Sequence, residues 1–183
     1  MKTDNRYSST AIAIHWLAAL LIFGAIAMGV YMTSLQLSPT RLKLYNWHKW
    51  LGITILALSL VRVLWRATHR PPVDLPMPGW QRHAAHLTHW TLYALFLAVP
   101  LAGWTYSSAS GFPVVVFGVL PLPDLVAPDR SLAEVLKALH VGLALALGAV
   151  IALHVAAVCK HQWLDRDQIL FRMLPRVFGR QAP

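Results

Sequence analysis

The chain has 183 residues, of which 57% are hydrophobic and only 13% are charged, so its composition excludes an ordinary soluble domain. The formal net charge of +9 does not indicate nucleic-acid binding, because the basic residues cluster at the ends of long apolar runs, where they act as topology determinants. The single cysteine, Cys159, permits neither an intrachain disulfide nor a cysteine-based metal cluster.

Four apolar runs predict an all-α protein, an integral membrane four-helix transmembrane bundle. The runs cover about residues 10–33, 45–65, 84–107 and 132–160. The first follows a short basic start but is longer than the apolar region of a signal peptide, which predicts a retained span. Because little chain lies outside the runs, we expect residues 1–183 to form a single domain.

Two connectors rich in proline separate these spans. Residues 70–79 break the helix firmly between spans two and three. Residues 108–130 join spans three and four and contain a short apolar piece, residues 114–120. This piece is too short to cross a bilayer, so we expect it to lie in the membrane interface as a cap.

The basic residues are divided unequally between the two ends of the predicted spans. Eleven lie at one end: Lys2, Arg6, Arg62, Arg66, Arg70, Arg82, Lys160, Arg166, Arg172, Arg176 and Arg180. Five lie at the other end: Arg41, Lys43, Lys49, Arg130 and Lys137. The positive-inside rule therefore predicts that both termini are cytoplasmic. Seven tryptophans near span ends predict an aromatic belt at the membrane surfaces: Trp47, Trp50, Trp65, Trp80, Trp90, Trp104 and Trp163.

The fourth span carries two histidines in a run that contains no Asp, Glu, Lys or Arg, residues 138–159. His140 and His154 are separated by roughly 21 Å along a helix and by ~40° less than four full turns, so both rings leave the same face at two depths. Ionisable residues inside a span are costly and mark function by default. Two imidazoles at two depths suggest two haem irons. The alternative is a pair of neutral histidines hydrogen-bonded between helices.

The other spans supply a histidine at each of these depths. His15 enters span one from the same side as His154, and His48 opens span two on the side of His140. The chain thus contains two pairs of histidines from different helices, as bis-histidine haem requires. Arg62, 14 residues after His48, has the depth of the cytoplasmic pair, where it would pair with a haem propionate. The alternative is an arginine that snorkels to the headgroups.

Short motifs with a defined order run through nearly the whole chain. They are Ile14-His15-Trp16, His48-x-x-x-Gly52, Val61-Arg62, Ala85-His86-Leu87-x-His89, Pro100-x-x-Gly103, His140, Leu153-His154 and Met173-Leu174-Pro175-Arg176. Together they resemble the bacterial cytochrome b561 family. The resemblance implies a four-helix cytochrome of the bacterial inner membrane with two haems b. It makes four histidines the axial ligands of the haem irons: His15, His48, His140 and His154.

The resemblance also implies an activity. Short stand-alone members of the family include superoxide oxidase, which passes an electron from superoxide through its haems to ubiquinone. Related and usually longer cytochrome b subunits anchor hydrogenases or dehydrogenases and deliver their electrons to the quinone pool. We therefore expect a superoxide:quinone oxidoreductase, with a membrane-anchor and electron-relay subunit as the alternative. A haem-free transporter or zinc-dependent membrane protein is a further alternative, and the absence of an intramembrane carboxylate argues against a proton-coupled or cation-coupled transporter.

Three more histidines, His83, His86 and His89, enter span three from the cytoplasmic side at spacings of three residues. Because such residues share a helix face, a zinc site is an alternative here. We expect His86 and His89 to lie near the cytoplasmic haem, as propionate partners or on a proton path to quinone. His89 is also the rival of His15 and His154 as an iron ligand.

Four further residues are candidates for substrate contacts at the two membrane surfaces. His161 and Trp163, just beyond span four, would line a quinone pocket, with a simple interfacial position as the alternative. On the opposite surface, superoxide is an anion and needs a local cationic patch near the haem. Lys49, beside His48, and Lys137, three residues before His140, are the best placed for that role.

Overall fold

The computed structural model describes residues 6–167 and 169–175, and four long helices dominate it. The helices are α1 (Ser9–Ser34), α2 (Pro39–Thr68), α3 (Gly79–Ala109) and α4 (Arg130–Lys160). All four are long and apolar enough to cross a membrane, which confirms the predicted four-helix transmembrane bundle. Three basic residues used in the orientation prediction, Lys2, Arg176 and Arg180, lie outside the described residues.

The helices extend several residues beyond the predicted spans, because polar capping residues define their starts. The side chains of Ser8, Ser38 and Asp129 accept hydrogen bonds from backbone N–H groups in the first turns of α1, α2 and α4. Such caps satisfy donors that the helix itself leaves free. Apolar periodicity marks only the membrane-embedded part of each helix, so it underestimates the full length.

The connector between α3 and α4 forms a small antiparallel hairpin. Strands β1 (Val115–Val116) and β2 (Leu120–Pro121) pair with each other. The turn between them places Phe117 and Gly118 at positive φ angles of 52° and 74°. The apolar piece that the sequence predicted as an interfacial cap is therefore a hairpin, and the turn-forming glycine explains why it reverses direction.

The helices pack in chain order, α1 against α2, α2 against α3, and α3 against α4. A buried apolar cluster lies at mid-height of the bundle and joins all four helices: Ala18, Ile22, Ile55, Leu92, Leu95, Phe96 and Leu147. Large apolar side chains also face outward, and Leu20 and Leu145 are each 71% exposed. Outward apolar surface of this kind suits a lipid environment and not water.

The C-terminal segment returns to the beginning of α1. A π-helical turn (His161–Asp165) ends α4, and a short 3₁₀ helix (Leu170–Arg172) follows it. The backbone N–H of Tyr7 donates to the carbonyl of Arg172 at 3.2 Å, and the indole of Trp16 donates to the carbonyl of Met173 at 2.7 Å. The two described ends of the chain thus lie at the same end of the bundle.

Candidate functional site

The structure brings together the two histidine pairs that the sequence predicted. His48 of α2 and His140 of α4 have ring centroids 6.2 Å apart, with the ring planes at 84°. His15 of α1 and His154 of α4 have centroids 6.4 Å apart, with the planes at 68°. We call these the outer pair and the inner pair, respectively.

The separation within each pair suits a shared metal ion. Two imidazoles that bind one metal from opposite sides, each through a metal–nitrogen bond of about 2.0 Å, have ring centres about 6 Å apart. The observed values of 6.2 and 6.4 Å match this requirement. The alternative, neutral histidines hydrogen-bonded between helices, also has support, because His15 of α1 bonds to Arg62 of α2 and His140 of α4 bonds to Val99 of α3.

His140 is oriented by α3 through a close approach of its ring to Gly103. The Nδ1 atom of His140 lies 3.0 Å from the carbonyl oxygen of Val99, and because a carbonyl only accepts, Nδ1 carries the proton and donates. This tautomer leaves Nε2 free for iron. A Cβ atom on Gly103 would lie 2.9 Å from Cε1 of His140, so only glycine permits this position. Sequence reasoning noted the glycine as part of a motif but did not assign this contact.

His48 of the outer pair is fitted against α1 in a similar way. A Cβ atom on Gly29 would approach Cε1 of its ring to 3.3 Å, and the backbone of Ala25, one turn earlier in α1, lies beside the same ring. The two outer histidines thus each rest on a helix that carries a glycine at the contact. These two glycines let the imidazole rings approach the backbones of α1 and α3 closely.

Arg62 lies at the depth of the inner pair and contacts His15 directly. Its Nη2 lies 3.1 Å from Nδ1 of His15, and its guanidinium lies over the ring of Tyr93. Arginine has only donors, so Nδ1 of His15 accepts and the ring proton lies on Nε2. Iron binding through Nε2 requires the opposite tautomer. The inner pair therefore fits haem provided that Arg62 turns from His15 to another acceptor, such as a propionate.

A third histidine joins the inner pair. His89 of α3 has its ring centroid 5.5 Å from that of His154, at an interplanar angle of 61°. That separation is shorter than the one between His15 and His154, so His15 remains the better partner for a shared iron. His89 instead faces the cavity between the ends of α1, α2 and α3.

His86 was expected beside the inner pair, but its side chain is engaged at the surface. Its Nε2 lies 3.2 Å from a carboxylate oxygen of Asp74, and both side chains are about half exposed. The sequence did not reveal this partner, because Asp74 lies in the preceding connector, 12 residues away. His86 is thus one turn nearer the surface than His89, and its contact with Asp74 was missed.

The end of α4 forms a separate ion-paired cluster. Nδ1 of His161 lies 2.5 Å from Asp167 and 3.2 Å from Asp165, and the ammonium of Lys160 contacts Asp165. Three donor atoms of this kind could hold a divalent cation. Lys160 already contacts one of the two carboxylates, and His161 contacts both of them. Trp163, the second residue predicted for a quinone pocket, is 69% exposed.

The two lysines predicted to attract superoxide have different surroundings. The ammonium of Lys49 lies 3.4 and 3.2 Å from the carbonyl oxygens of Phe112 and Pro113, in the connector before β1. Lys137 is exposed and lines a cavity at the start of α4 with Asp129 and with Arg130, which forms a salt bridge with Glu134. Lys49 therefore holds the connector, whereas Lys137 is available to an approaching anion.

Two of the predicted belt tryptophans have buried indole N–H groups. The Nε1 atoms of Trp65 and Trp104 are shielded from solvent and have no hydrogen-bond partner among the described residues. An aromatic belt would present these groups to headgroups or water. Trp65 lies at the level of the inner pair, and Trp104 follows the glycine that contacts His140. The sequence alone did not reveal that these two donors are buried.

Comparisons with known proteins give matches over nearly the whole chain. The family model described as prokaryotic cytochrome b561 matches residues 6–176. Cytochrome b561 homolog 2 of Escherichia coli (strain K12) is 34% identical over 174 residues, which cover 94% of this chain and 93% of the relative. A probable superoxide oxidase, CybB of Yersinia pestis, is 32% identical over 181 residues, covering 96% and 99% of the two chains.

A third relative, cytochrome b561 homolog 1 of the same Escherichia coli strain, is 33% identical over 178 residues, which cover 94% of this chain and 98% of the relative. The match extends through all four helices and includes every histidine of both pairs. The family implies haem b binding and electron transfer in a bacterial membrane. This chain is a member of the prokaryotic cytochrome b561 family.

Proposed function

We propose that this chain binds two haems b and transfers electrons from superoxide to ubiquinone across the bacterial inner membrane, with both termini in the cytoplasm. The observation that carries the proposal is the pair of facing imidazoles at each of two depths, with ring centroids 6.2 and 6.4 Å apart. The name of the Yersinia pestis relative, a probable superoxide oxidase, supports the choice of electron donor. When bound, haem b supplies a one-electron redox centre at each depth.

In this proposal the residues of the outer pair hold the first redox centre near the surface where superoxide arrives. His48 and His140 would hold the iron of one haem between them, and the group would supply one-electron transfer from superoxide. Gly103 and the carbonyl of Val99 fix the ring and tautomer of His140. Lys137 raises the local concentration of the anion.

The residues of the inner pair hold the second centre, on the side where we place quinone reduction. His15 and His154 would ligate, and Arg62 would move from His15 to a propionate. His89 would donate a proton along the path to quinone, and His161 with Trp163 would lie at its entrance. Two superoxide ions release two molecules of oxygen and two electrons, and ubiquinone takes up those electrons with two protons to give ubiquinol.

Spectroscopy of the detergent-purified protein tests the proposal. We expect a pyridine haemochrome assay to give two haems b per chain, a superoxide pulse to reduce them, and added ubiquinone to reoxidise them. Variants His140→Ala and His154→Ala serve as ligand deletions, and His83→Ala, whose ring belongs to neither pair, is the matched control. A colourless wild-type protein would refute haem binding.

A second outcome would support the alternative function. If the haems are present and exchange electrons with quinone but ignore superoxide, the chain acts as a relay for a partner dehydrogenase or hydrogenase subunit. Membership of the family covers both kinds of protein, so this experiment decides between them. If quinone does not reoxidise the reduced haems, quinone reduction is refuted in either case.

A further inference from the structure

Of the four long helices that the structure describes, only α3 carries a proline in its interior. This residue, Pro100, is buried, and it has no N–H to donate to the carbonyl of Phe96, one turn earlier. The proline ring also disfavours the helical conformation of the preceding residue, Val99. Both effects are unfavourable for the helix, and departures of this kind from a helix-forming sequence are concentrated at functional sites.

The carbonyl group next to this proline is the one that orients His140. Nδ1 of His140 donates to the oxygen of Val99 at 3.0 Å. Because Val99 precedes Pro100, this oxygen belongs to a tertiary amide. The additional carbon on the amide nitrogen donates electron density towards the oxygen, which makes a tertiary amide a stronger hydrogen-bond acceptor than a secondary amide. Pro100 therefore strengthens the acceptor that His140 uses.

Gly103 gives the imidazole access to the same carbonyl. In a helix every Cα–Cβ bond tilts towards the N-terminus, so a side chain at position 103 would lie over the turn that contains Val99. A Cβ atom there would meet Cε1 of His140 at 2.9 Å and Nδ1 at 3.1 Å. The motif Pro100-x-x-Gly103 thus serves one ring at both of its ends, because the proline sets the acceptor and the glycine leaves the approach open.

The strength of this hydrogen bond matters for the other ring nitrogen of His140. An acceptor on Nδ1–H raises the electron density at Nε2, which makes the imidazole a more basic metal ligand. A more basic ligand stabilises the more positive, oxidised state of an iron and lowers its potential. An alanine at position 100 would provide a secondary amide in place of the tertiary one and would return an N–H to the carbonyl of Phe96. Both changes weaken the hydrogen bond from His140.

We propose that Pro100 is a positioning residue for His140, that it acts through the carbonyl of Val99, and that it lowers the redox potential of the outer site. The effect on the potential rests on the proposed function, because it requires a haem between His48 and His140. The effect on the imidazole ring does not, because the hydrogen bond to Val99 is formed by the protein alone.

Two measurements on the purified full chain test the two effects separately. The variant is Pro100→Ala, and Pro100→Val, closer to proline in size, replaces it if the alanine variant does not fold. Pro39→Ala is the matched control, since Pro39 begins α2 and the carbonyl before it accepts the backbone N–H of Leu42. One measurement is the NMR resonance of the Nδ1–H proton of His140 in dithionite-reduced protein, assigned by its absence in His140→Ala. The other is a potentiometric titration of each haem.

We expect the Nδ1–H resonance to move upfield in Pro100→Ala and to exchange faster with deuterium, as a weaker hydrogen bond requires. The potential of the haem that His140→Ala removes should rise, while the other haem and both signals of Pro39→Ala match the wild type. A colourless wild type would refute the proposed function, yet the ring resonance would still test the role of Pro100. An unchanged resonance in folded Pro100→Ala, even with lower thermal stability, would show a merely structural role and overturn the proposal.

Discussion

The imidazole of His140 lies where the side chain of residue 103 would otherwise be, since a Cβ atom on Gly103 would approach its Cε1 to 2.9 Å and its Nδ1 to 3.1 Å. The missing side chain lets the ring reach the carbonyl of Val99, and that hydrogen bond sets the tautomer. The position and tautomer of the His140 ring thus depend on two residues of a neighbouring helix.

The first prediction follows from this contact. We expect Gly103→Ala to displace the ring of His140, because a separation below 3.0 Å forces one group to move and the obstructing atoms belong to the ring itself. Haem content should fall from two per chain towards one, as measured by the pyridine haemochrome assay. Gly79→Ala, at the start of α3 where a Cβ meets nothing within 4 Å, is the control. Two full haems in Gly103→Ala would contradict the prediction.

The second prediction concerns the independence of the two pairs. Leu147 lies midway between His140 and His154 in a buried apolar cluster that includes Phe96 and Ile22. Because this cluster separates the pairs, removal of one ligand should leave the other site intact. We expect His140→Ala and His154→Ala each to retain about one haem, with different potentials and α-band positions in the reduced-minus-oxidised spectrum. Identical spectra, or complete loss of haem in both folded variants, would show that the sites are coupled.

The sequence predicted the elements that follow from periodicity. The spacing of 14 residues between His140 and His154, together with the depths of His15 and His48, was sufficient to predict which rings meet. Periodicity could not show contacts between distant residues that depend on helix rotation. Gly103 beside His140 is such a contact, because nothing in the pattern of α3 specifies which neighbour its glycine faces.

The apolar pattern of the sequence also could not predict the polar contacts that the connectors make. The carboxylate of Asp74 meets His86 only because the connector folds back along α3. The buried N–H of Trp65 is a similar case, since a tryptophan near the end of an apolar run is expected at the membrane surface. Trp65 lies near the segment before α1 and the segment after α4. These segments have no regular apolar pattern from which their fold could be predicted.

The third prediction addresses the contact between Arg62 and His15. If the guanidinium turns to a propionate when haem binds, Arg62→Gln removes a positive charge near the inner iron and favours its oxidised, more positive state. We expect the potential of one haem to fall by about 40 mV, the equivalent of ~1 kcal/mol for a charge pair screened by protein and solvent. Arg62→Lys should restore part of the potential. An unchanged potential in Arg62→Gln would place the cation away from the haem.

The fourth prediction separates the two lysines at the outer surface. The ammonium of Lys49 donates to the carbonyl oxygens of Phe112 and Pro113. The indole N–H of the neighbouring Trp50 donates to the carbonyl oxygen of Val115 at 2.6 Å. These contacts hold the connector and the hairpin against α2. Lys137 has an exposed side chain beside Arg130. We therefore expect Lys137→Gln to slow haem reduction by superoxide several-fold and to weaken its dependence on ionic strength, because electrostatic steering is screened by salt.

Lys49→Gln should instead act mainly on the connector. Loss of its contacts should destabilise the hairpin by about 1 kcal/mol and increase amide exchange between Phe112 and Leu122, with a smaller effect on the salt dependence of superoxide reduction. Stopped-flow reduction at several ionic strengths and hydrogen exchange of the same samples measure both effects. If Lys49→Gln removes the salt dependence while Lys137→Gln leaves it intact, superoxide approaches along the hairpin side, and the cation that attracts it is the one beside His48.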